Sequence, residues 1–499
     1  MSAIASPHSQ PRPLRRGPDG LDREYAMLID GEWVAASSGR TFRCVDPFTE
    51  ESWGEVPEAE PADVDRAVRA ARRAFDDDGW PRRPAAQRAA LLRRLAQLIE
   101  THADALTYQQ IRENGKLVSE MRPGSDALAR ACYYFAGLAE TLSGATLPPV
   151  QGFSTYTLRE PIGVIAAVTP WNSPLMILGW KLFPALAAGN TVVVKPSEVT
   201  PTSTLELARL AVEAGFPPGV INVVTGHGQP AGAALIEHPG VDKIAFTGST
   251  MTGKAVARAA AERCARVSLE LGGKSPNIVF ADANLPAAVE GVIAGIFAAT
   301  GQTCVAGSRV LIERAIYDEM ADLLVQRARG LKTGDPLDRA SELGPLASQA
   351  QLAKVLGYFE IARGERLELL AGGRRMERSG FFVEPTVYGH VRNDSRIAHE
   401  EIFGPVAALI PFRDEDEAVA IANDTPFGLA AGVWTESIRR VHRVVPRLRA
   451  GTVWVNNYRQ VGYGTPFGGL RQSGIGRELG PEALHEYTEV KSVWIDTRA

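Results

Sequence analysis

A cysteine in a glycine-bearing loop is the first residue of this chain whose type and position suggest chemistry. Cys304 ends the segment GQTC (301–304), which follows a small, apolar helical stretch. In such a loop a thiolate can face a cleft and act as a nucleophile. A lone cysteine is more often an inert packing residue, and we assign that state to Cys44, Cys132 and Cys264.

A glutamate at the end of an apolar run is the second candidate. Glu270 lies in LELGGK (269–274), where a β-type run ends. A buried carboxylate is unfavourable unless it is paired. Two interpretations follow. Glu270 is either part of a strand-end salt bridge, for example with Lys274, or a general base whose pKa is raised by apolar surroundings.

An amide side chain follows the first strand of a regular region. Asn172 ends the motif TPWN (169–172). Proline and asparagine are common turn residues, so a turn alone explains the segment. The functional alternative is that the Asn172 amide donates a hydrogen bond to an oxyanion that develops during the reaction.

Two further motifs are typical of cofactor-binding loops. KPSE (195–198) follows the second strand, where Lys195 and Glu198 could hydrogen-bond ribose hydroxyls or simply form a solvated charged turn. FTGST (246–250), with Gly253, stands at a strand-to-helix junction, where backbone N–H groups can bind a pyrophosphate. Its spacing is GxxxxG rather than GxGxxG, so the motif alone is a weak signal.

The elements that must position these residues alternate regularly. From residue 162, hydrophobic patterning predicts five strands and four intervening helices. This alternation indicates βαβ units and a parallel sheet, which binds ligands beyond the carboxyl ends of its strands. Each motif that follows a strand there lies at such an end. The predicted strands are 162–168, 191–194, 221–224, 243–246 and 266–271, and the helices end near 189, 215, 237 and 263.

The rest of the chain predicts further elements around this region. Two amphipathic helices precede it, with apolar stripes at 64–75 and 91–99. A helical stretch at 285–299 and mixed elements up to residue 472 indicate a second α/β domain. Two isolated strands, 154–159 and 487–495, could pair with each other or with another subunit.

Composition disfavours several other classes of protein. The chain has 499 residues with 54 Lys and Arg against 58 Asp and Glu, a net charge of −4, which disfavours a broad cationic surface for nucleic acid. Four scattered cysteines without a CxxC pair disfavour a disulfide framework or a zinc site, so we expect no metal. The sequence predicts neither a membrane span nor a secretory signal. We therefore expect a cytoplasmic protein with no nucleic-acid or membrane partner.

Seven motifs, in this order, resemble those of the aldehyde dehydrogenase superfamily. They are TPWN, KPSE, FTGST, LELGGK, GQTC, EIFGPV (401–406) and PFGG (466–469). They span residues 169–469, and a weaker similarity extends over 28–495. The resemblance implies an α/β fold with a Rossmann-like parallel-sheet cofactor domain, a second α/β catalytic domain and a small β oligomerisation element.

The resemblance implies a role for each catalytic candidate. Cys304 would attack an aldehyde carbonyl to give a thiohemiacetal, and the Asn172 side chain with the Cys304 backbone N–H would stabilise the oxyanion. Hydride transfer to NAD would leave a thioester, and Glu270 would activate the water that hydrolyses it. Because acyl transfer to coenzyme A needs no such base, release of a free acid is favoured over a CoA-acylating semialdehyde dehydrogenase. A catalytically silent protein on the same fold is a further alternative.

The resemblance also implies a set of cofactor-binding residues. Lys195 and Glu198 match residues on the adenosine ribose, and Glu401 matches the residue on the nicotinamide ribose. A carboxylate at Glu198 accepts a hydrogen bond from the 2′-hydroxyl and repels a 2′-phosphate, so we predict NAD rather than NADP. The full predicted set is Thr169, Pro170, Trp171, Lys195, Glu198, Gly228, Phe246, Gly248, Ser249, Glu401 and Phe403.

The substrate pocket departs from the family pattern. Many alkanal- and retinal-type members have aromatic residues where this chain has Ser173 and Val461, so we expect a wider or more polar pocket. Arg459 could bind a substrate carboxylate bidentately, or form a loop or subunit salt bridge. The first of these options predicts a polar aldehyde or semialdehyde as substrate. The predicted pocket residues are Ser173, Trp180, Thr303, Arg459, Val461 and Phe467.

These patterns predict a discontinuous domain organisation. Residues 1–24 are expected to be a disordered tail. The NAD-binding domain is predicted at 25–140 and 160–271, the catalytic domain at 272–472, and the oligomerisation element at 141–159 and 473–499. Strand pairing across that element would give a homodimer or homotetramer.

Overall fold

The computed structural model describes residues 25–498, so the tail predicted at 1–24 lies outside the described residues. Within this range short strands alternate with helices. The strands are β1 (Met27–Ile29), β2 (Glu32–Val34), β3 (Thr41–Val45), β4 (Ser52–Pro57), β5 (Phe153–Pro161), β6 (Val164–Val168), β7 (Thr191–Lys195), β8 (Ile221–Val223), β9 (Lys243–Thr247), β10 (Arg266–Glu270), β11 (Pro276–Val279), β12 (Arg309–Glu313), β13 (Glu368–Ala371), β14 (Thr386–Gly389), β15 (Val406–Phe412), β16 (Ala430–Trp434), β17 (Thr452–Val455), β18 (Gly474–Ile475) and β19 (Thr488–Asp496).

Helices connect most of these strands. They are α1 (Pro61–Asp76), α2 (Ala85–Thr101), α3 (Ala103–Asn114), α4 (Val118–Ala139), α5 (Pro174–Ala188), α6 (Thr202–Ala214), α7 (Ala233–Glu237), α8 (Thr250–Ala261), α9 (Leu285–Ile296), α10 (Tyr317–Arg329), α11 (Gln349–Gly364), α12 (Arg396–His399), α13 (Glu415–Asn423), α14 (Ile438–Val444) and α15 (Gly480–His485). Short helical turns add Trp80–Arg82, Gly228–Gly232, Ala298–Gly301, Arg314–Ile316, Val445–Arg447 and Arg471–Ser473. In the described part, no helix is both long and apolar enough to cross a membrane.

The first sheet has the order β18-β10-β9-β6-β7-β8-β1-β2, and its five central strands are parallel. Alternate residues of these strands enter different cores: Ile165 packs in a cluster on one face, and Val164 packs in a cluster on the other. Burial on both faces is typical of a parallel sheet covered by helices. The chain crosses from one side of β6 to the other between β8 and β9, and ligands bind at such crossover points.

The second sheet has the order β13-β14-β15-β12-β11-β16-β17 and is parallel except for the edge strand β13. It also has a buried cluster on each face. The chain leaves the first sheet at Glu270 and enters the second at Pro276, so the segment 271–275 joins the two sheets. At Gly273 a Cβ atom would lie 2.6 Å from the Cys304 carbonyl oxygen. Only glycine therefore allows this linker to pass so close to the cysteine loop.

The two isolated strands pair with each other. β5 and β19 form an antiparallel ribbon from Thr488 opposite Pro161 to Asp496 opposite Phe153. The ribbon carries exposed apolar side chains, including Val490 and Trp494. The sequence left open whether these strands pair with each other or with another subunit. In the fold they pair with each other within one chain.

The five predicted strands and their helices are present, with small differences at their ends. The first strand begins at Val164 instead of residue 162, because β5 extends to Pro161 and Gly163 turns the chain with a φ of 143°. The helix predicted to reach residue 299 ends at Ile296. Ala299, which was predicted to belong to the helix, has a left-handed φ of 56°, and no α-helix can continue through that conformation.

The assignment of three cysteines to packing is correct for two of them. Cys44 and Cys132 are buried, whereas Cys264 is exposed. Cys264 lies in the short turn between α8 and β10, where its φ is 56°. Cys264 is therefore not a core residue.

Candidate active site

A large cavity lies where the strand ends of the first sheet meet loops of the second. It has about 660 Å³ of empty space, including open solvent. Three residues predicted for catalysis, Asn172, Glu270 and Cys304, all contribute to its wall. The same wall contains six residues of the predicted cofactor set, namely Pro170, Trp171, Gly248, Ser249, Glu401 and Phe403.

The loop of Cys304 is fixed by hydrogen bonds on both sides. The Asn172 side-chain amide donates to the Gln302 carbonyl at 3.1 Å, and the Ala347 N–H donates to the Gln302 side chain at 2.9 Å. Because an amide group has two N–H donors, this bond leaves one Asn172 donor for another acceptor. The thiol is half-buried at the cavity wall.

Burial makes the Cys304 thiol hard to ionise. It raises the pKa of Cys304 to about 12, and the negative charges of Glu270 and Glu401 act in the same direction. A backbone N–H and the ammonium of Lys116 oppose them. In this state the side chain is therefore a thiol at neutral pH.

Glu270 is a buried carboxyl group without a hydrogen-bond partner among the described residues. Burial raises its pKa well above the usual range, and the nearby charge of Glu478 raises it further. The salt bridge with Lys274 does not form, since no ion pair joins these two residues in the part of the chain that the structure describes. The charge of Lys274 instead interacts with Arg309 and Glu401.

The sequence analysis did not identify an ion pair next to Glu270. The Lys181 ammonium and the Glu478 carboxylate form a buried salt bridge. The same ammonium donates a hydrogen bond to the Thr247 hydroxyl at 2.7 Å. The positive charge of Lys181 lowers the pKa of Glu270. The sequence signal was available: a lysine inside the otherwise apolar helix α5 requires a charged or polar partner.

Glu401 and Phe403 also line the cavity. The Gly273 N–H donates to a Glu401 carboxylate oxygen at 3.1 Å, which fixes that carboxylate beside the inter-sheet linker. The rings of Trp171 and Phe403 meet edge to face at 5.3 Å. Gln351, which the sequence did not suggest, donates to the Phe403 carbonyl at 2.7 Å and lines the cavity, as does Lys354.

The remaining predicted cofactor residues do not line the cavity. Lys195 ends β7 and is 3% exposed; burial lowers its pKa to about 8, while the charge of Glu198 opposes that shift. Its stem lies 3.4 Å from the position of a Cβ at Gly232, in the turn that begins at Gly228. Thr169 and Phe246 are buried at the ends of β6 and β9.

The start of α8 can accept an anion. Its first turn is capped by Ser249, whose hydroxyl accepts the Thr252 N–H at 3.2 Å. Gly248 packs close to the ring of Phe246, where a Cβ would approach to 2.5 Å. Unpaired N–H groups and the helix dipole favour negative charge at such a helix start. These residues are therefore suited to a dinucleotide phosphate.

The predicted substrate residues do not line the large cavity. Trp180 and Phe467 contact each other, with ring centroids 5.1 Å apart, while Val461 is exposed and Thr303 half-buried. Arg459 donates to the Ala294 carbonyl at 3.3 Å. No ion pair to Arg459 occurs within residues 25–498, so the salt-bridge alternative is absent from this chain's own contacts.

No cluster of His, Cys, Asp or Glu suited to a metal ion occurs in the described residues. Two mainly parallel sheets, a cavity at their strand ends and a thiol in its wall define the chain as a two-sheet α/β enzyme. Residues 33–493 match the aldehyde dehydrogenase family, and the chain belongs to that family.

Known proteins resemble this chain over nearly its whole length. It is 44% identical to human retinal dehydrogenase 2 over 496 aligned residues. The alignment covers 99% of this chain and 95% of the relative. The NAD⁺ complex of an aldehyde dehydrogenase from Bacillus cereus matches with a TM-score of 0.94 and 45% identity, over 95% of this chain and 97% of that one. The NAD⁺ complex of betaine aldehyde dehydrogenase from Staphylococcus aureus has the same TM-score at 38% identity, with 95% of each chain covered.

Proposed function

We propose that this chain oxidises an aldehyde to the carboxylic acid with NAD as hydride acceptor. The observation that carries the proposal is that one cavity wall contains the catalytic candidates Cys304, Asn172 and Glu270 together with Glu401 and Phe403. When bound, NAD supplies the acceptor for the hydride that leaves the substrate carbon. The capped start of α8 and the Glu401 carboxylate are the groups suited to hold it.

Cys304 forms the bond to the substrate. Its sulfur adds to the aldehyde carbon, and the thiol proton passes to a water molecule in the cavity. The free N–H of Asn172 and the Cys304 backbone N–H then hold the oxyanion, a contact worth about 2.7–4 kcal/mol in other enzymes. Oxidation of the carbon converts this adduct to a thioester.

Glu270 accepts a proton from the water that breaks the thioester. The water oxygen bonds to the acyl carbon, and the carbon–sulfur bond breaks with its electron pair on the sulfur. The sulfur then takes the proton back from Glu270, and the acid leaves. Glu270 must be ionised for this role, although its burial favours the protonated form. The Lys181 charge opposes that effect, so it favours the active form of the base.

The choice of cofactor rests on Glu198. Its carboxylate lies after β7, close enough to the ammonium of Lys195 to raise the pKa of that residue. A negative charge at this position accepts a hydrogen bond from a ribose 2′-hydroxyl and repels a 2′-phosphate. NAD is therefore preferred to NADP.

The substrate is a polar aldehyde or a semialdehyde. Arg459 has no carboxylate partner among the described residues, and the rings of Trp180 and Phe467 provide an apolar wall. The presence of Glu270 favours free acid over a coenzyme A ester as product.

The proposal also includes an assembly of two or four copies through the β5–β19 ribbon. It further includes the domain division given above and a cytoplasmic location.

The test is an assay of NADH absorbance with aliphatic, aromatic, amino and acidic aldehydes, with identification of the product. NADH formation together with a free acid supports the proposal. Formation of an acyl-CoA only when coenzyme A is added would support the acylating alternative. No turnover with any aldehyde, alongside measurable NAD binding, would support a catalytically silent protein.

A further inference from the structure

Three consecutive residues just before the cysteine loop have left-handed backbone conformations. The φ angles are 56° at Ala299, 54° at Thr300 and 69° at Gly301. Glycine adopts this conformation freely, whereas in alanine and threonine the Cβ atom comes too close to a carbonyl oxygen. Such strained residues persist only where other contacts impose their conformation, and they are typical of active sites.

The two strained residues of this left-handed turn (299–301) differ in how they can be fixed. The Thr300 hydroxyl donates to the Gly344 carbonyl at 3.0 Å, so the side chain of Thr300 contributes to fixing its own residue. Ala299 has no polar side chain. Another residue must therefore fix Ala299.

The Ala299 N–H has lost the partner that a helix would give it. If α9 continued to residue 299, this N–H would donate to the carbonyl of Gly295, four residues earlier. That carbonyl instead accepts the Gly307 N–H at 3.1 Å. Ala299 is 3% exposed, and a buried N–H needs an acceptor within the protein.

Glu120 supplies this acceptor from the start of another helix. One oxygen of its carboxylate accepts the Ala299 N–H at 2.5 Å, and the other accepts the Leu117 N–H at 3.4 Å. Glu120 lies in the first turn of α4, 179 positions before Ala299. Hydrogen bonds to a charged acceptor are stronger than those between neutral groups. A single carboxylate therefore joins the start of α4 to the left-handed turn.

The left-handed turn is connected to the catalytic candidates. The Gln302 N–H donates to the Ala299 carbonyl at 2.9 Å, and the Gln302 carbonyl accepts the bond from the Asn172 amide described above. Cys304 follows two residues later. A displacement of Ala299 is therefore transmitted to both the nucleophile and the proposed oxyanion donor.

We propose that Glu120 is a positioning residue, whose carboxylate holds Ala299 in the left-handed conformation and thereby places the Cys304 sulfur for attack on the aldehyde. Glu120 acts through the turn and takes part in no bond-forming step. The inference rests on the proposed aldehyde oxidation and adds a residue from outside the cavity wall to it.

The experiment measures the rate of NADH formation in the first turnover, by rapid mixing with NAD and either propanal or benzaldehyde. Glu120→Asp keeps the negative charge at the start of α4 but shortens the side chain by one carbon, which removes the bond to Ala299. The first-turnover rate should fall about tenfold or more, the value expected for loss of a hydrogen bond to a charged group. Glu120→Ser is a second shortened variant, with the same expected loss, and decides if Glu120→Asp does not fold.

Glu120→Gln separates this role from simple stabilisation of the helix start. Its amide oxygen can still accept the Ala299 N–H, so the rate should stay within about threefold of the wild type. A residue that acted only through its charge on the helix dipole would give the opposite order, with Asp active and Gln impaired. The KM for NAD should change less than about twofold in all three variants, because uniform binding is not altered.

Glu417→Asp is the matched control. The Glu417 carboxylate also accepts a backbone N–H, that of Arg413 at 2.6 Å, but it lies at α13 in the second sheet's domain. Its first-turnover rate should equal that of the wild type. Thermal unfolding shows that each variant is folded.

A second background tests whether Glu120 acts through the turn. In Ala299→Gly the left-handed conformation carries no steric cost, so it depends less on the Glu120 carboxylate. The loss caused by Glu120→Asp should therefore shrink from about tenfold to less than about threefold in this background. A general loss of stability would instead give the same loss in both backgrounds, because independent effects add.

Alkylation of Cys304 by iodoacetamide tests the inference without NAD or aldehyde. Burial raises the pKa of this thiol, and release of the turn should give the sulfur more access to water and so lower that pKa. In a Cys264→Ala background, Glu120→Asp should therefore be labelled at least about threefold faster than its parent at the same pH.

Three results would overturn the inference. They are a first-turnover rate in Glu120→Asp equal to that of the wild type, an equal loss in the Ala299→Gly background, and an unchanged alkylation rate. In each case the wild type still forms NADH and the proposed oxidation stands. Absence of NADH from every aldehyde in the wild type would instead reject the proposed oxidation, and alkylation alone would then decide whether Glu120 positions Cys304.

Discussion

Residue scale. The thiol of Cys304 is half-buried and the carboxyl group of Glu270 is buried, and their removal from water makes each of them hard to ionise. Each negative charge also disfavours the other, so the two groups do not ionise together easily in this state. The thiol in one step and the carboxyl group in another must nevertheless lose a proton during the proposed reaction.

Substitution of the proposed nucleophile should separate chemistry from binding. Cys304→Ala is expected to abolish NADH formation while NAD affinity changes little, because the residue forms the bond to the substrate. Steady-state absorbance and NAD titration measure the two properties. Cys264→Ala is the matched control, since this thiol is exposed and should be dispensable. Residual turnover in Cys304→Ala near the wild-type rate would remove Cys304 from the mechanism.

The alkylation rate of Cys304 should depend on pH in a predictable direction. Because the pKa of the thiol is raised to about 12, the rate should keep rising through the alkaline range in which the protein stays folded. In Glu270→Gln the rise should move to lower pH, since one negative charge is removed. Iodoacetamide labelling in a Cys264→Ala background measures this. A profile that reaches a plateau near neutral pH would contradict the assigned burial.

Loss of the Glu198 charge should relax cofactor choice. Glu198→Gln is expected to raise kcat/KM with NADP relative to NAD by about tenfold, because repulsion of the 2′-phosphate disappears. Kinetics with both cofactors measure the ratio. An unchanged ratio would mean that another residue determines the preference for NAD over NADP.

Element scale. The alternation of strands and helices could be predicted because each element has its own hydrophobic period and its own glycine or proline boundary. Gly189 and Gly215, for example, end α5 and α6 in the left-handed conformation. The helix end before Cys304 could not be predicted in this way, because Thr300 adopts a left-handed φ without being glycine. Contacts across the molecule impose that conformation.

The residues of the site divide in the same way into those that local motifs identify and those that meet only in the folded chain. Motifs identified the residues of the cavity wall that follow strands, such as Asn172 and Glu270. They did not identify Lys181 and Glu478, which lie 297 positions apart and meet only in the folded chain. Glu120 was missed for the same reason, since its partner Ala299 is 179 positions away.

The turn that carries Cys304 should be sensitive to a single methyl group. At Gly301 the φ is 69° and a Cβ would collide with the Gly404 carbonyl. Gly301→Ala is expected to lower stability by about 1–3 kcal/mol and to reduce activity strongly. Thermal unfolding and NADH assays measure both.

Gly357→Ala is the matched control for that substitution. Gly357 is exposed in α11 with no atom near the new Cβ, so alanine there should leave activity unchanged and stabilise slightly. If Gly301→Ala behaves like this control, the turn is not rigid in the way described.

Whole-molecule scale. The β5–β19 ribbon exposes Val490 and Trp494 at 56% and 59% of their surfaces. Neighbouring exposed apolar side chains of this kind are typical of interaction surfaces. This surface supports the proposed homodimer or homotetramer.

Charges on the ribbon should break the proposed assembly. Val490→Glu with Trp494→Glu is expected to lower the molecular mass in sedimentation, because carboxylates cannot be buried at an apolar contact without cost. Ile438→Glu is a control at an exposed apolar residue in α14, outside the ribbon. A monomeric wild type, or an unchanged mass in the double variant, would reject assembly through this ribbon.

The role of Glu270 as the base that acts after oxidation is the central claim, and rapid mixing of Glu270→Gln with NAD and aldehyde tests it most directly. The account predicts a burst of about one NADH per subunit followed by a steady-state rate at least about 100-fold below that of the wild type. The oxidation step is then intact and only hydrolysis of the thioester is slow. Loss of the burst, or a steady-state rate equal to that of the wild type, would contradict the account.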